Sequence, residues 1–353
     1  MLLVTAPDFH QLPDISTMTT SHDRLRSLST AESAVIEPHQ QPVIISTIEA
    51  DLERDVEVPT DCPIQANVPL KGLTTWKVGG SAQWYLEPRT ITQTQSGLAW
   101  AKQNQLPVTI IGAGSNLLIS DKGLAGLVIC TRHLRYVNTQ VDAGNQSIQA
   151  DAGKMVASLA WQAARKGWGG MEWAAGIPGT VGGAVVMNAG AHGHSTQEIL
   201  VSTEVLNLDG SIETLTNQDL DYSYRTSILQ GDSRIVLSAT FQLLPTSDAE
   251  KIKARTFRDL EKRHSKQPYD RPSCGSVFRN PSPLYAAALI EELGLKGHRI
   301  GDAEVSTLHA NFIINRKDAK ASEILELIYY VQSQVRAHYA IELEPEVKML
   351  GEF

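Results

Sequence analysis

The chain has 353 residues, enough for two or three domains of roughly 100–200 residues each, and carries a net charge of −8 with 42% apolar residues. No run of about 18 apolar residues exists to cross a membrane, and no basic stretch with interleaved aromatics marks a nucleic-acid surface. Three widely spaced cysteines, Cys62, Cys130 and Cys274, form no CxxC pair, which argues against a disulfide framework or a zinc site and suits a reducing cytoplasm.

Residues 1–60 hold ten Asp and Glu against three Arg and no Lys, so the acidity is local and the rest of the chain is nearly neutral. Rich in Ser, Thr, Pro and Gln, they read as an acidic, disordered extension with one candidate strand, PVIIS (42–46). The opening MLLVTAPDFHQLPD lacks a basic n-region and makes a poor signal peptide. From VPLKGLTTWKVGGSAQWYLEP (68–88) onward, β-branched segments punctuated by glycine predict short strands. SGLAWAKQNQLP (96–107) has helical spacing; VTIIGAGSNLLIS (108–120) reads as strand and glycine turn, and GLAGLVICT (123–131) as a further strand. MVASLAWQAARKG (155–167) is an amphipathic helix closed by Gly167. STEVLNLDGSIETLT (202–216) predicts a hairpin turning at Asp209-Gly210, and SRIVLSATFQLLP (233–245) another strand. After Pro245 the charged helix DAEKIKARTFRDLEKRHSK (248–266) marks a domain boundary, followed by the helix ASEILELIYYVQSQVRAHYA (321–340) and strands in HANFIIN (309–315) and EPEVKML (344–350). The class is α+β.

Two uncharged glycine segments, GAGSN (112–116) and GIPGTVGGAVVMNAGAHG (176–193), fit neither a P-loop, since no GK[ST] follows, nor a Rossmann fingerprint, since Leu117 stands where the third glycine belongs. Such glycines serve either tight turns between packed strands or the approach of main-chain N–H groups to a phosphate. Two segments together, with Ser115, Asn116, Thr180 and Asn188 as hydrogen-bonding side chains, favour the internal diphosphate of a dinucleotide such as FAD.

IIGAGSNLLISD, GMEWAAGIPGTVGGAVVMNAGAHG, YSYRTS, KQPYDRPSCGSVFRNP, LIEELGLKGHRIGDAEVSTLHANFIIN and LEPEVKMLG occur in this order. From about residue 66 to the end the chain closely resembles the UDP-N-acetylenolpyruvoylglucosamine reductase family, in the shorter of its two types, without the inserted tyrosine loop. His192 stands where family members often have Tyr. The resemblance implies an FAD-binding fold of the vanillyl-alcohol-oxidase type over 61–245, in two subdomains breaking near 132, and a C-terminal substrate-binding domain over 246–353. It implies bound FAD contacted by Gly112, Ala113, Gly114, Ser115, Asn116, Ile177, Gly179, Thr180, Gly182, Gly183 and Gly190. NADPH as co-substrate, a UDP-sugar substrate and a monomeric, cytoplasmic enzyme follow from the same likeness.

The implied reaction adds a hydride to the vinyl carbon of an enolpyruvyl ether, which calls for a cation beside the developing enolate and a proton donor at its carbon. Arg225 of YSYRTS is the candidate cation, since a guanidinium grips a carboxylate through two bonds. Taken without the family, it reads as a structural arginine. Ser276 of PSCGSVFRNP is the candidate proton donor, although alone it reads as a turn serine. Glu346 of EPEVKM completes the set, either orienting Arg225 or sharing a proton. Tyr224 and Asn280 are candidate substrate contacts, and Lys262 and Arg263 candidate partners for phosphates or a solvated helix face. The rival readings are an FAD-dependent oxidase and a catalytically silent nucleotide-binding protein.

Overall fold

The computed structural model describes residues 63–353 apart from 143–144 and 246–247. The extension read over 1–60, with its candidate strand at 42–46, and Cys62 lie outside the described residues. The first sheet grows around Leu124–Cys130, whose near-continuous apolar run suits a strand paired on both sides and buried. It pairs in parallel with Ser81–Leu86 and with Val108–Ile111, and Gln65–Pro69 adds antiparallel to Ser81–Leu86. Helix α1 (Ile91–Gln103) makes the crossover. It begins earlier than its apolar spacing predicts because Thr90 caps it, the hydroxyl accepting from Gln93 N at 3.1 Å.

The second sheet is antiparallel, in the order Ile212–Thr216, Leu200–Leu206, Ile235–Pro245, Asn145–Asp151, Val137–Asp142. The hairpin turns where the sequence predicts, with Gly210 at φ 91°. Helix α2 (Val156–Arg165) buries Leu159, Ala160 and Ala163 in the same core as Ile148 and Phe241. The glycine run, for which the sequence predicts no helix, contains a short one, α3 (Val181–Val186), capped by Thr180. Helix α4 (Ala249–His264), capped by Asp248, packs back onto α2, with Phe257 edge-on to Trp161 at 4.8 Å. The sequence places α4 beyond the domain break; its apolar face is nonetheless covered by elements that precede the break.

The third core holds α5 (Ala286–Glu292), α6 (Ala321–Tyr339) and a small sheet of Arg299–Ile300, Ala303–Val305 and Ile313–Asn315. HANFIIN is strand only over its last three residues, and EPEVKML only over Lys348–Leu350. Trp76, from the N-terminal part, is fully buried in this core and donates its indole N–H to Ile313 O at 2.7 Å. Lys348–Leu350 pairs in parallel with Leu117–Ile119, the strand that follows the first glycine turn. Asp121, just beyond that strand, accepts from Ala321 N at 2.8 Å and Ser322 N at 2.9 Å at the start of α6. Among the described residues no helix is long and apolar enough to cross a membrane.

Candidate active site

The two glycine segments lie against each other. Ser115 Oγ donates to Pro178 O at 2.7 Å. A Cβ built on Gly112 would stand 2.5 Å from Thr180 Oγ1, and one on Gly179 3.2 Å from Ser115 Oγ. The glycines divide into two kinds. At Gly112, Gly114, Gly182 and Gly190 a side chain would strike the protein itself; Gly114, at φ 65°, would meet Leu73 O at 2.1 Å, and Gly190 would meet His194 O at 2.3 Å. At Gly183, which is exposed, the nearest atom is Thr180 Oγ1 at 3.6 Å, an ordinary van der Waals contact. Packing thus accounts for four glycines and crowds Gly179 against Ser115 Oγ, whereas Gly183 leaves exposed main chain.

Arg132, which the sequence reading missed, organises the first segment. Its Nε donates to Gly112 O at 3.0 Å and its Nη2 to Ala113 O at 2.7 Å, with Leu73 O as a further acceptor. With those carbonyls occupied, the amides of Ala113, Gly114 and Ser115 find no acceptor among the described residues, nor do those of Gly179 and Thr180. Five unpaired N–H groups on two touching loops form a donor set that fits a diphosphate. Ile177 is buried, its amide donating to Ala174 O at 3.0 Å. Asn116 faces the C-terminal segment, its Nδ2 donating to Glu346 O at 3.1 Å. Among the described residues no group of three His, Cys, Asp or Glu side chains is arranged to hold a metal.

Arg225 sits at the tip of a turn closed by paired Ser223 and Thr226 hydrogen bonds of 3.1 Å, with φ at 57°, a conformation that favours glycine. Its Nε donates to Glu346 Oε1 at 3.0 Å and its Nη2 to Gly190 O at 2.7 Å, so the guanidinium bridges the end of the glycine run and the C-terminal segment. Residues far apart in sequence are thereby joined. Burial pushes the Glu346 carboxyl above its ordinary value; Arg225, Arg279 and Lys348 pull against that without cancelling it. Glu346 N donates to Val277 O at 2.8 Å, which lays the Ser276 segment alongside. Ser276 is half-buried, and its hydroxyl makes no hydrogen bond among the described residues, to Arg225 and Glu346 or to any other group.

Tyr224 is exposed beside the Arg225 guanidinium, 5.4 Å from ring centroid to Cζ. Asn280 is exposed and its Oδ1 accepts from Ala286 N at 3.1 Å at the start of α5. Lys262 and Arg263 lie on α4 and make no hydrogen bond or ion pair with Arg225 or Glu346 among the described residues. Lys262 is exposed, while Arg263 packs under the glycine run, where a Cβ on Gly176 would meet its Cδ at 2.7 Å, and its Nε donates to Tyr269 Oη at 2.9 Å. His192, at φ 54°, lines a cavity of about 470 Å³ shared with Asn188, Tyr222, Tyr224 and Arg225.

Residues 82–216 match the profile of the FAD binding domain, and residues 267–350 that of the UDP-N-acetylenolpyruvoylglucosamine reductase C-terminal domain. The UDP-N-acetylenolpyruvoylglucosamine reductase of Synechocystis sp. is 57% identical over 82% of this chain and 92% of its own. The same-named protein of Nostoc punctiforme is 55% identical over 83% of this chain and 88% of its own. The crystal structure of the Thermus caldophilus reductase superposes with a TM-score of 0.69 at 33% identity, covering 82% of this chain and 99% of that one. The α+β class with an FAD-binding domain, read from the sequence, stands with them. The chain belongs to the UDP-N-acetylenolpyruvoylglucosamine reductase family.

Proposed function

We propose that this chain reduces the enolpyruvyl group of UDP-N-acetylglucosamine enolpyruvate to the lactyl ether of UDP-N-acetylmuramate, a step of peptidoglycan precursor synthesis, with Arg225, Glu346 and Ser276 as its working groups. The observation that carries the assignment of roles is the half-buried Arg225–Glu346 pair at 3.0 Å. FAD, when bound and reduced by NADPH, supplies the hydride. The amides of Ala113, Gly114, Ser115, Gly179 and Thr180 are the donors for its diphosphate, and the exposed main chain of Gly183 lets it lie close. Gly112, Gly182 and Gly190 shape that shell from beneath, with Asn116 and Ile177 at its edge.

Hydride addition at the terminal vinyl carbon leaves negative charge on the neighbouring carbon, shared with its carboxylate. The Arg225 guanidinium stabilises that charge, holding the carboxylate through parallel N–H bonds where the low-dielectric surroundings strengthen them. Glu346, as carboxylate, fixes the guanidinium's plane through Nε while Gly190 O takes one Nη2 N–H, and the N–H groups not so engaged serve the substrate. Ser276 gives its hydroxyl proton to the carbanionic carbon and recovers one from solvent. A serine hydroxyl is a weak acid, but this carbon is basic enough to take its proton. Its uncommitted hydroxyl supports the role. Tyr224 and Asn280 are proposed to contact the substrate, and Lys262 and Arg263 to add positive potential beside the glycine run.

We read the enzyme as monomeric and cytoplasmic, with a domain division at 245/246 and a subdomain break near 132. Anaerobic NADPH should bleach the flavin of the purified chain, and UDP-N-acetylglucosamine enolpyruvate should restore its colour. Flavin-free protein that cannot be reconstituted, or bleached flavin that ignores the enolpyruvyl substrate, would overturn the proposal.

A further inference from the structure

Arg225 occupies a turn position where an L-residue is strained, and the question is what holds it there. Its own carbonyl accepts from two side chains, Gln230 Nε2 at 2.7 Å and Arg279 Nη2 at 3.1 Å. Arg279 comes from the Ser276 segment, three residues on. Its Nη2 also donates to Thr226 Oγ1 at 3.2 Å, on the far side of the same turn, and its Nη1 faces the Glu344 carboxylate at 3.4 Å. Its main-chain N donates to Glu344 O at 2.9 Å. One guanidinium therefore joins the three segments that carry Arg225, Ser276 and Glu346. Its Nε is buried without an acceptor, a cost to the fold that solvation at the surface would avoid.

We propose that Arg279 is a positioning residue for the enolpyruvyl half of the reaction: its fork clamps the Ser223–Thr226 turn to the Glu344–Glu346 segment and so sets where the Arg225 guanidinium meets Glu346. The inference rests on the site reading given above. A planar fork can hold the turn's carbonyl and hydroxyl while reaching Glu344; an ammonium cannot span them in one geometry. The groups acting on Glu346 are Arg225, Arg279 and Lys348, all lowering its pKa, while the buried Cys274 thiol lies close enough to feel the carboxylate. Removing Arg279 deletes one of the cations that oppose the upward push of burial, so the Glu346 titration moves to higher pH.

The test compares Arg279→Met, Arg279→Lys, Thr226→Val and Arg225→Lys as FAD-loaded enzymes, following flavin reduction by NADPH, reoxidation by UDP-N-acetylglucosamine enolpyruvate, and the pH dependence of turnover. In Arg279→Met we expect reduction by NADPH to stay within about threefold of the parent, reoxidation to slow at least about tenfold, and the acid limb of turnover to shift upward. Arg279→Lys should keep the acid limb in place while reoxidation remains slow. Thr226→Val should slow reoxidation by a few-fold with no shift of the limb. Unchanged reoxidation and an unchanged acid limb in Arg279→Met overturn the inference. If Arg279→Met does not fold, parent-like reoxidation in both Arg279→Lys and Thr226→Val overturns it instead. If Arg225→Lys itself reoxidises at the parent rate, the site reading fails rather than this extension of it.

Discussion

Of the groups proposed to act on the substrate, Arg225 is the most informative in place. On residue type it reads as a structural arginine; only the surrounding motif singled it out. The fold then sets it in a left-handed turn with Nε on Glu346, an arrangement that local preference opposes and that a site would maintain. Arg225→Lys keeps the charge but loses the fork, so turnover should fall by roughly 100-fold while FAD retention, measured by flavin absorbance after gel filtration, is unchanged. Glu346 adds a pH signature. Burial first, opposed by Arg225, leaves its folded-state pKa above the unfolded value. Stability from the protonated carboxyl is therefore present below the ordinary carboxylate range and lost as pH rises through the raised value. Turnover runs the other way, because the carboxylate is the form that holds Arg225. A kcat profile should rise with pH through that interval, and Glu346→Gln should abolish the limb as well as lower the plateau. Arg132 escaped the sequence reading because its acceptors are main-chain carbonyls, and Arg279 because Arg225 O, Thr226 Oγ1 and Glu344 are brought near it only by the tertiary fold.

At the scale of elements, the strands and long helices were legible because each carries its own period or turn chemistry. Leu124–Cys130 is apolar on both faces, Asp209-Gly210 can supply a hairpin turn, and α6 keeps Ile324, Leu327, Ile328, Val331 and Val335 on one buried stripe. Helix α3 was not legible. Its six residues include two glycines, poor helix formers, and it exists because Thr180 caps it and Gly182 packs against Ala152. The two kinds of glycine separate experimentally. Gly114→Ala forces a side chain onto Leu73 O at positive φ and should destabilise the apoprotein by at least about 1 kcal/mol in urea unfolding. Gly183→Ala meets only Thr180 Oγ1 at ordinary contact distance, so apoprotein stability should hold or rise slightly while FAD affinity, read by fluorescence titration, drops about tenfold. Asp121→Ala removes a carboxylate whose hydrogen bonds from Ser322 and Ala321 outweigh the upward push of burial and keep it below its ordinary pKa. It should cost about 1 kcal/mol at neutral pH, a loss that disappears as the parent is acidified through that lowered pKa.

Over the whole molecule, the site exists because distant segments share cores and ladders. Trp76 is buried among residues of the C-terminal third, and Lys348–Leu350 pairs beside Leu117–Ile119, so Glu346 and the first glycine segment are parts of one rigid connection through Asn116. None of this was legible from spacing, since long-range pairing leaves no local period. The family motifs stood in for it: they name the residues that must converge without saying how. The central claim is that Ser276 donates the proton after a hydride has reached the enolpyruvyl carbon. Anaerobic stopped-flow on Ser276→Ala tests it most directly, with NADPH mixed first and UDP-N-acetylglucosamine enolpyruvate second. We expect bleaching of the flavin near the parent rate and recovery slowed by about two to four orders of magnitude. Recovery at the parent rate, or equal slowing of both steps, would contradict the account.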